Sequence, residues 1–157
     1  LGFPITFING GNTSNLAHIA GDRVIGWDAG PFNHFPDKVA RDYFQKPCDT
    51  DGEIGSKGSI NIPLLQQLFN KGAIMPDGGN FLEIAPPKSS DPNWYKSVPL
   101  LEDTSITPTD KMRTVEYFAA YLTFHSLGHS PADLELPSRF AVFGGGWQNP
   151  VVMKDFI

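Results

Sequence analysis

The chain has 157 residues, a net charge of −5 and 40% hydrophobic residues, with 12 Phe and 3 Trp among them. That length suits one ordinary domain, or one lobe of a larger protein, and excludes two full domains; the apolar content excludes intrinsic disorder. The acidic balance, with no basic stripe to neutralise phosphates, excludes a general nucleic-acid binder. Cys48 is the single cysteine, so a cystine-stapled domain is excluded and a reducing, cytoplasmic setting is expected. No run of about 18 apolar residues suggests a membrane span. The 16 Gly and 14 Pro exceed the usual combined share of about 12% and imply many turns. Beginning at Leu1, directly before a strand-like run, the chain reads as a piece of a longer protein.

In chain order, Pro4–Ile8, Leu16–Ala20 and Arg23–Trp27 read as a three-stranded antiparallel meander, the last two joined by a Gly21-Asp22 turn. Asn9–Asn15 is expected as a long polar loop between the first two strands. A helix is predicted over Asp37–Phe44 from the apolar stripe of Val39, Ala40, Tyr43 and Phe44, closed by Pro47. A polar Gly-rich loop follows from Cys48 to Ile60. A short helix then begins near Pro63, carries Leu64, Leu65, Leu68 and Phe69, and ends at Gly72. The next thirty or so residues read as loop, too long for a compact domain unless it packs on something. The longest helix spans about Thr109–Leu127, with Met112, Val115, Phe118, Ala119 and Leu122 inward and Gly128 as its stop. After a Pro-broken connection come a strand at Arg139–Phe143, the run Gly144-Gly145-Gly146, and a helix from Pro150. The expected class is α/β, with a mixed sheet flanked by helices.

Three consecutive glycines each cost about 0.5–1 kcal/mol relative to Ala, so something should require Gly144–Gly146. Placed after a strand, they let main chain lie against a nucleotide, and the helix that follows favours negative charge. A plain strand-to-helix turn is the competing reading. The pattern is neither the dinucleotide-fold fingerprint nor a Walker A loop. Asn12, Thr13, Ser14 and the amides around them suit a phosphate or, equally, an ordinary polar turn. Asp28, at a strand end, suits Mg2+ held through water, or a helix cap or turn. Asp49-Thr50-Asp51-Gly52 opens like a calcium loop, but the position needing Glu is Ile60, which rejects an EF-hand. His125 and His129 are four apart, yet Gly128 interrupts the helix between them, which argues against a metal site.

Five motifs occur in one order: Asn9-x-Gly11-x-x-Ser14-Asn15; Gly26-Trp27-Asp28-Ala29-Gly30-Pro31-Phe32-Asn33 with Asp37; Asp49-x-Asp51-Gly52; Pro86-Pro87-Lys88-Ser89; and Gly144-Gly145-Gly146-x-x-Asn149-Pro150. Together they resemble the second half of the anhydro-N-acetylmuramic acid kinases, whose relatives include levoglucosan kinase. The resemblance implies an actin-like (ribonuclease H-like) ATPase fold of two lobes. Residues 1–157 would form the second, nucleotide-binding lobe, with ATP and Mg2+ as cofactors. The implied reaction phosphorylates a 1,6-anhydro sugar and opens its ring with water. Asn9, Gly11 and Asn15 match a phosphate loop, and Gly144–Gly146 with Asn149 match the adenosine side. Asp28, Gly30, Asn33 and Lys88 fall on the substrate or phosphate side, with Asp28 the candidate Mg2+ contact.

The sequence also departs from the family pattern. Gly10, Asn12 and Phe32 differ, Ser90-Asp91-Pro92-Asn93 replaces Thr-Gly-Arg-Glu, and the family's Thr-Glu-Leu-Thr is not recognisable near Thr107–Met112. The catalytic base is expected upstream, in a first lobe, so this segment alone should be inactive. The implied partner is a small sugar, with neither nucleic acid nor membrane, and homodimerisation is left open. A diverged, non-catalytic relative that binds nucleotide or a protein partner is the alternative.

Overall fold

The computed structural model describes residues 4–129, 135 and 137–157. Three strands, β1 (Ile5–Gly10), β2 (Thr13–Ala20) and β3 (Arg23–Pro31), run antiparallel to their neighbours in sequence. Strand β4 (Arg139–Phe143) lies parallel to β1, giving the mixed order β3-β2-β1-β4. Thr6 and Ile8 of β1, Ser14, Leu16 and His18 of β2, and Trp27 and Ala29 of β3 are buried. This period-two pattern puts one sheet face against the helices.

The helices are α1 (His34–Phe44), α2 (Ile62–Lys71), the single turn α3 (Pro99–Glu102), α4 (Pro108–Leu127) and α5 (Pro150–Phe156). Helix α4 is central. Thr107 caps it by accepting from the Asp110 amide, and Pro108 sits in its first turn, where a missing N–H costs nothing. The expected inward residues Met112, Val115, Phe118, Ala119 and Leu122 are buried, but so are Lys111, Thr114, Glu116, Thr123 and Ser126. The helix is enclosed on more sides than its apolar stripe predicts. Trp27 Nε1 donates to Ser126 Oγ at 2.8 Å and pins β3 to it.

Three expectations change. The seven-residue loop at Asn9–Asn15 is absent: the strands extend inward and leave a two-residue turn, Gly11-Asn12, with Asn9 paired opposite Asn15. Helix α1 begins three residues before Asp37, since Pro36 fits a first turn. The long segment after Gly72 packs on the rest of the described residues, burying Phe81, Tyr95 and Val98 and bridging Ala73 to Tyr95. The Pro-broken connection after Gly128 lies largely outside the described residues.

Candidate functional site

The motif residues gather around the β1–β2 turn. Asn9 Nδ2 donates to Asn15 Oδ1 at 3.1 Å, and Asn15 Nδ2 donates to Asp28 Oδ1 at 2.5 Å. The other carboxylate oxygen of Asp28 accepts from the Ser90 amide at 2.7 Å, Ser90 Oγ at 3.2 Å and Ser89 Oγ at 3.3 Å. The backbone closes the arrangement: the Asp28 amide donates to the Lys88 carbonyl at 2.9 Å. Asn9, Asn15, Asp28 and the segment after Pro86-Pro87 thus form one connected network.

The turn itself is tied to the loop preceding α1, because the amides of Phe32 and Asn33 donate to the carbonyls of Asn12 and Gly11. Asn33 Nδ2 reaches the Gly10 carbonyl at 3.4 Å. A Cβ added at Gly11 would find its nearest atom at 3.5 Å, ordinary van der Waals contact, so packing does not demand this glycine. Gly30 has φ +132, and a Cβ there would come 2.9 Å from Leu82. Packing against Leu82 and Leu122 therefore accounts for that glycine.

The triple glycine divides in the same way. Gly144 has φ +97, and its Cβ would lie 2.6 Å from Asn9 Oδ1 and 2.9 Å from the Gly10 carbonyl. A Cβ on Gly146 would lie 2.4 Å from Asn33 Oδ1. Both glycines are required by the chain's own contacts, which account for two of the three without a ligand. Gly145 differs: nothing stands within 4 Å of its Cβ position. It lines a cavity of about 290 Å³ together with Asn33, Asp37, Asp49, Gly146 and Asn149. Gly145–Gln148 forms a 3-10 turn, and the Asn149 side chain then caps α5 by accepting from the amides of Val151 and Val152.

Lys88 stands apart from this turn. Its ammonium donates to the Phe81 carbonyl at 3.1 Å, lies 4.5 Å from the Phe81 ring centroid, and lines a separate cavity of about 620 Å³ beside Tyr117, Tyr121 and His125. Burial lowers its pKa to about 8, against a smaller raising effect from Asp28.

The uncrowded backbone at Gly145 and the cavity beside it leave room for part of a nucleotide. Direct metal ligation by Asp28 fits less well, since four donors already engage its two oxygens. Among the described residues, no group of three or more His, Cys, Asp or Glu is placed to hold a metal.

Sequence reasoning missed Glu116. It is fully buried on α4, and its Oε1 accepts from Asn149 Nδ2 at 2.6 Å. Its neighbour Asp49 is a turn aspartate, accepting from the Ile54 and Gly55 amides at 2.8–3.1 Å. A four- and three-residue spacing from Met112 and to Ala119, both expected inward, was the available signal.

The chain matches the family model described as anhydro-N-acetylmuramic acid kinase over residues 5–157. It is 31% identical over 163 residues to the anhydro-N-acetylmuramic acid kinase of Rhizobium etli, covering 99% of this chain and 38% of that protein. The protein of the same name from Nitrobacter winogradskyi is 29% identical over 152 residues, covering 96% and 38%. That from Neisseria meningitidis is 28% identical over 154 residues, covering 94% and 38%. The chain spans 38% of the length of each of these relatives. With the family model matched from the first strand to the last residue, the chain belongs to the anhydro-N-acetylmuramic acid kinase family.

Proposed function

We propose that the protein containing this chain uses ATP to phosphorylate a 1,6-anhydro sugar, opening the anhydro ring with water, and that residues 1–157 supply the nucleotide-binding lobe of an actin-like pair. The observation that carries this reading is the convergence of Asn9, Asn15, Asp28 and Ser90 into one hydrogen-bonded network, with Gly144 packed against Asn9. Family motifs far apart in sequence thereby become a single surface.

In this reading the main chain at Gly11 approaches phosphate, and Gly145 with Asn149 borders the adenosine side. Phosphoryl transfer needs positioning and charge stabilisation more than covalent chemistry. Mg2+, bound with the nucleotide, supplies neutralisation of phosphate charge. Asp28, whose oxygens are engaged by Asn15, Ser89 and Ser90, would act on such an ion only at a distance; it holds Asn15 in register, while Asn33 fixes the turn by way of the Gly10 carbonyl. Gly30 lets β3 close against Leu82 and Leu122 behind the network. Lys88 stays on the substrate side, where its segment orders Asp28 from the Ser89 and Ser90 end. The general base, which must reach the attacking water within hydrogen-bond distance, belongs to the part of the enzyme outside this chain.

A coupled ADP-release assay on the full-length protein, with and without a panel of 1,6-anhydro sugars, tests the proposal. Sugar-dependent turnover is expected. Nucleotide binding with no turnover on any sugar would favour the non-catalytic alternative instead.

A further inference from the structure

Glu116 has no exposed surface, and its Oε2 meets no hydrogen-bond donor among the described residues. A Cβ on Gly55 would fall 1.8 Å from that oxygen, so the carboxyl group rests directly on the Gly55 backbone. The Asp49 and Glu116 carboxyl groups meet at Gly55, whose amide donates to Asp49 Oδ2 at 2.8 Å, and Asp49 acts on Glu116 as a neighbouring acid group. Asp49 is already committed as an acceptor to two main-chain amides. Two facing carboxylates cannot both be ionised at low cost in a buried site; one proton between them turns repulsion into a short donor–acceptor pair. On the opposite side, Oε1 accepts from Asn149, whose own oxygen caps α5. Asp49 and Asn149 both line the 290 Å³ cavity, whereas Glu116 lies behind them.

We propose that Glu116 is a positioning residue: carrying a proton donated toward Asp49 while accepting from Asn149, it holds the two walls of the glycine-turn cavity at their separation. The ligand side of this statement rests on the nucleotide reading above; the proton and the Asn149 contact do not. Burial, then Asp49, raise the Glu116 carboxyl to about 8, against smaller lowering effects from Asn149 and Arg113. Arg113 is itself paired with Asp155 of α5. The charged groups that act on Glu116 are therefore Asp49 from the loop and Arg113 from its own helix, the latter shared with Asp155.

Glu116→Gln keeps an acceptor for Asn149 and a donor for Asp49, whereas Glu116→Leu keeps neither. In the intact protein at pH 7, the Gln variant should bind ATP within about twofold of wild type, and the Leu variant at least tenfold more weakly. Amide exchange at Val151 and Val152, which report the Asn149 cap, should accelerate at least tenfold in the Leu variant and stay unchanged in the Gln variant. Wild-type ATP affinity should fall as pH rises through about 8, and that fall should vanish in Glu116→Gln. A Gln variant as impaired in exchange as a Leu variant, or a Gln variant that fails to fold while wild type folds, overturns the proposal. So does unchanged exchange in a folded Leu variant. Wild-type protein that binds no ATP would overturn the nucleotide reading alone, with the exchange measurements still deciding the role of Glu116.

Discussion

Gly144 and Asn9 touch so closely that any side chain at Gly144 would occupy the place of the Asn9 amide oxygen, 2.6 Å from the Cβ position. One residue along, Gly145 faces open space. Neighbouring glycines therefore answer to different requirements, and substitution separates them. Gly145→Val is expected to leave the unfolding midpoint within about 0.5 kcal/mol of wild type, as for uncrowded positions. It should weaken nucleotide binding at least tenfold by filling the cavity mouth. Gly144→Val should destabilise by more than about 1 kcal/mol through its positive φ and the clash. Denaturant melts paired with calorimetric titration of ATP distinguish the two; unchanged affinity in Gly145→Val would sink the ligand-loop assignment.

Removing the acceptor at the hub of the network gives a second test. Asp28→Ala leaves the Asn15 amide and the Ser90 main-chain amide without their shared partner. Hydrogen bonds to a charged group contribute about 1.5–3 kcal/mol each before relaxation and water replacement, so a loss of about 2 kcal/mol is expected. The urea midpoint should move with little change in slope.

The ion pair between α4 and α5 makes a third prediction. Arg113 engages both oxygens of Asp155, at 2.5 and 2.8 Å, with each side chain less than a fifth exposed. Forked recognition of this kind is not reproduced by an ammonium group. Arg113→Lys should therefore recover less than half of the stability lost in Arg113→Ala, about 1–3 kcal/mol, as read from thermal melts at low and high salt.

The raised carboxyl at Glu116 sets a pH dependence of stability. The native state holds this proton up to about 8, whereas the unfolded chain releases it near the ordinary glutamate value of 4.5. Between those values the native state binds more protons, so this contribution to stability is complete below about 4.5, declines as pH rises, and is gone above about 8. Melting temperatures across pH 5–9 should show that decline, and Glu116→Gln should remove it. Lys88 acts over a higher window: with its ammonium lowered to about 8 by burial, the unfolded chain binds more protons from there to 10.5, and the contribution of this residue rises with pH. An NMR titration of the Lys88 side chain should give a midpoint of about 8 rather than the 10.5 of exposed lysines.

Much of this was legible in the residues. The alternation through Leu16 and Trp27, the stripe on α4 and the glycine stops at Gly72 and Gly128 each follow from a local rule, and the structure carries them out. The β1–β2 connection was misread because Asn9, Gly10 and Asn15 are poor strand formers by propensity. Their cross-strand hydrogen bond and their pairing register overrule that preference. Glu116 was passed over for a different reason: a glutamate on a helix is nearly always solvated, so its inward spacing carried little weight, and its partners Asp49 and Asn149 are brought to it only by the tertiary fold. The role of Gly144 and Gly146 likewise depends on Asn9 and Asn33, residues from the other end of the chain.

The parallel pairing of Ile5 with Arg139 has a consequence for how the protein is made. Hairpins β1–β2 and β2–β3 need only short turns and can close while the ribosome is still adding α1. The opposite edge of β1 waits for a strand encoded after all four of the intervening helices, and non-local pairings of this kind form late. Throughout that interval Phe7 and the unpaired main chain of β1 are available to other nascent chains, the exposure that favours edge-to-edge aggregation. Pausing translation before Phe140 should therefore leave a species with its hairpins formed and its seam open, and the yield of soluble protein should depend on how quickly that last strand is delivered.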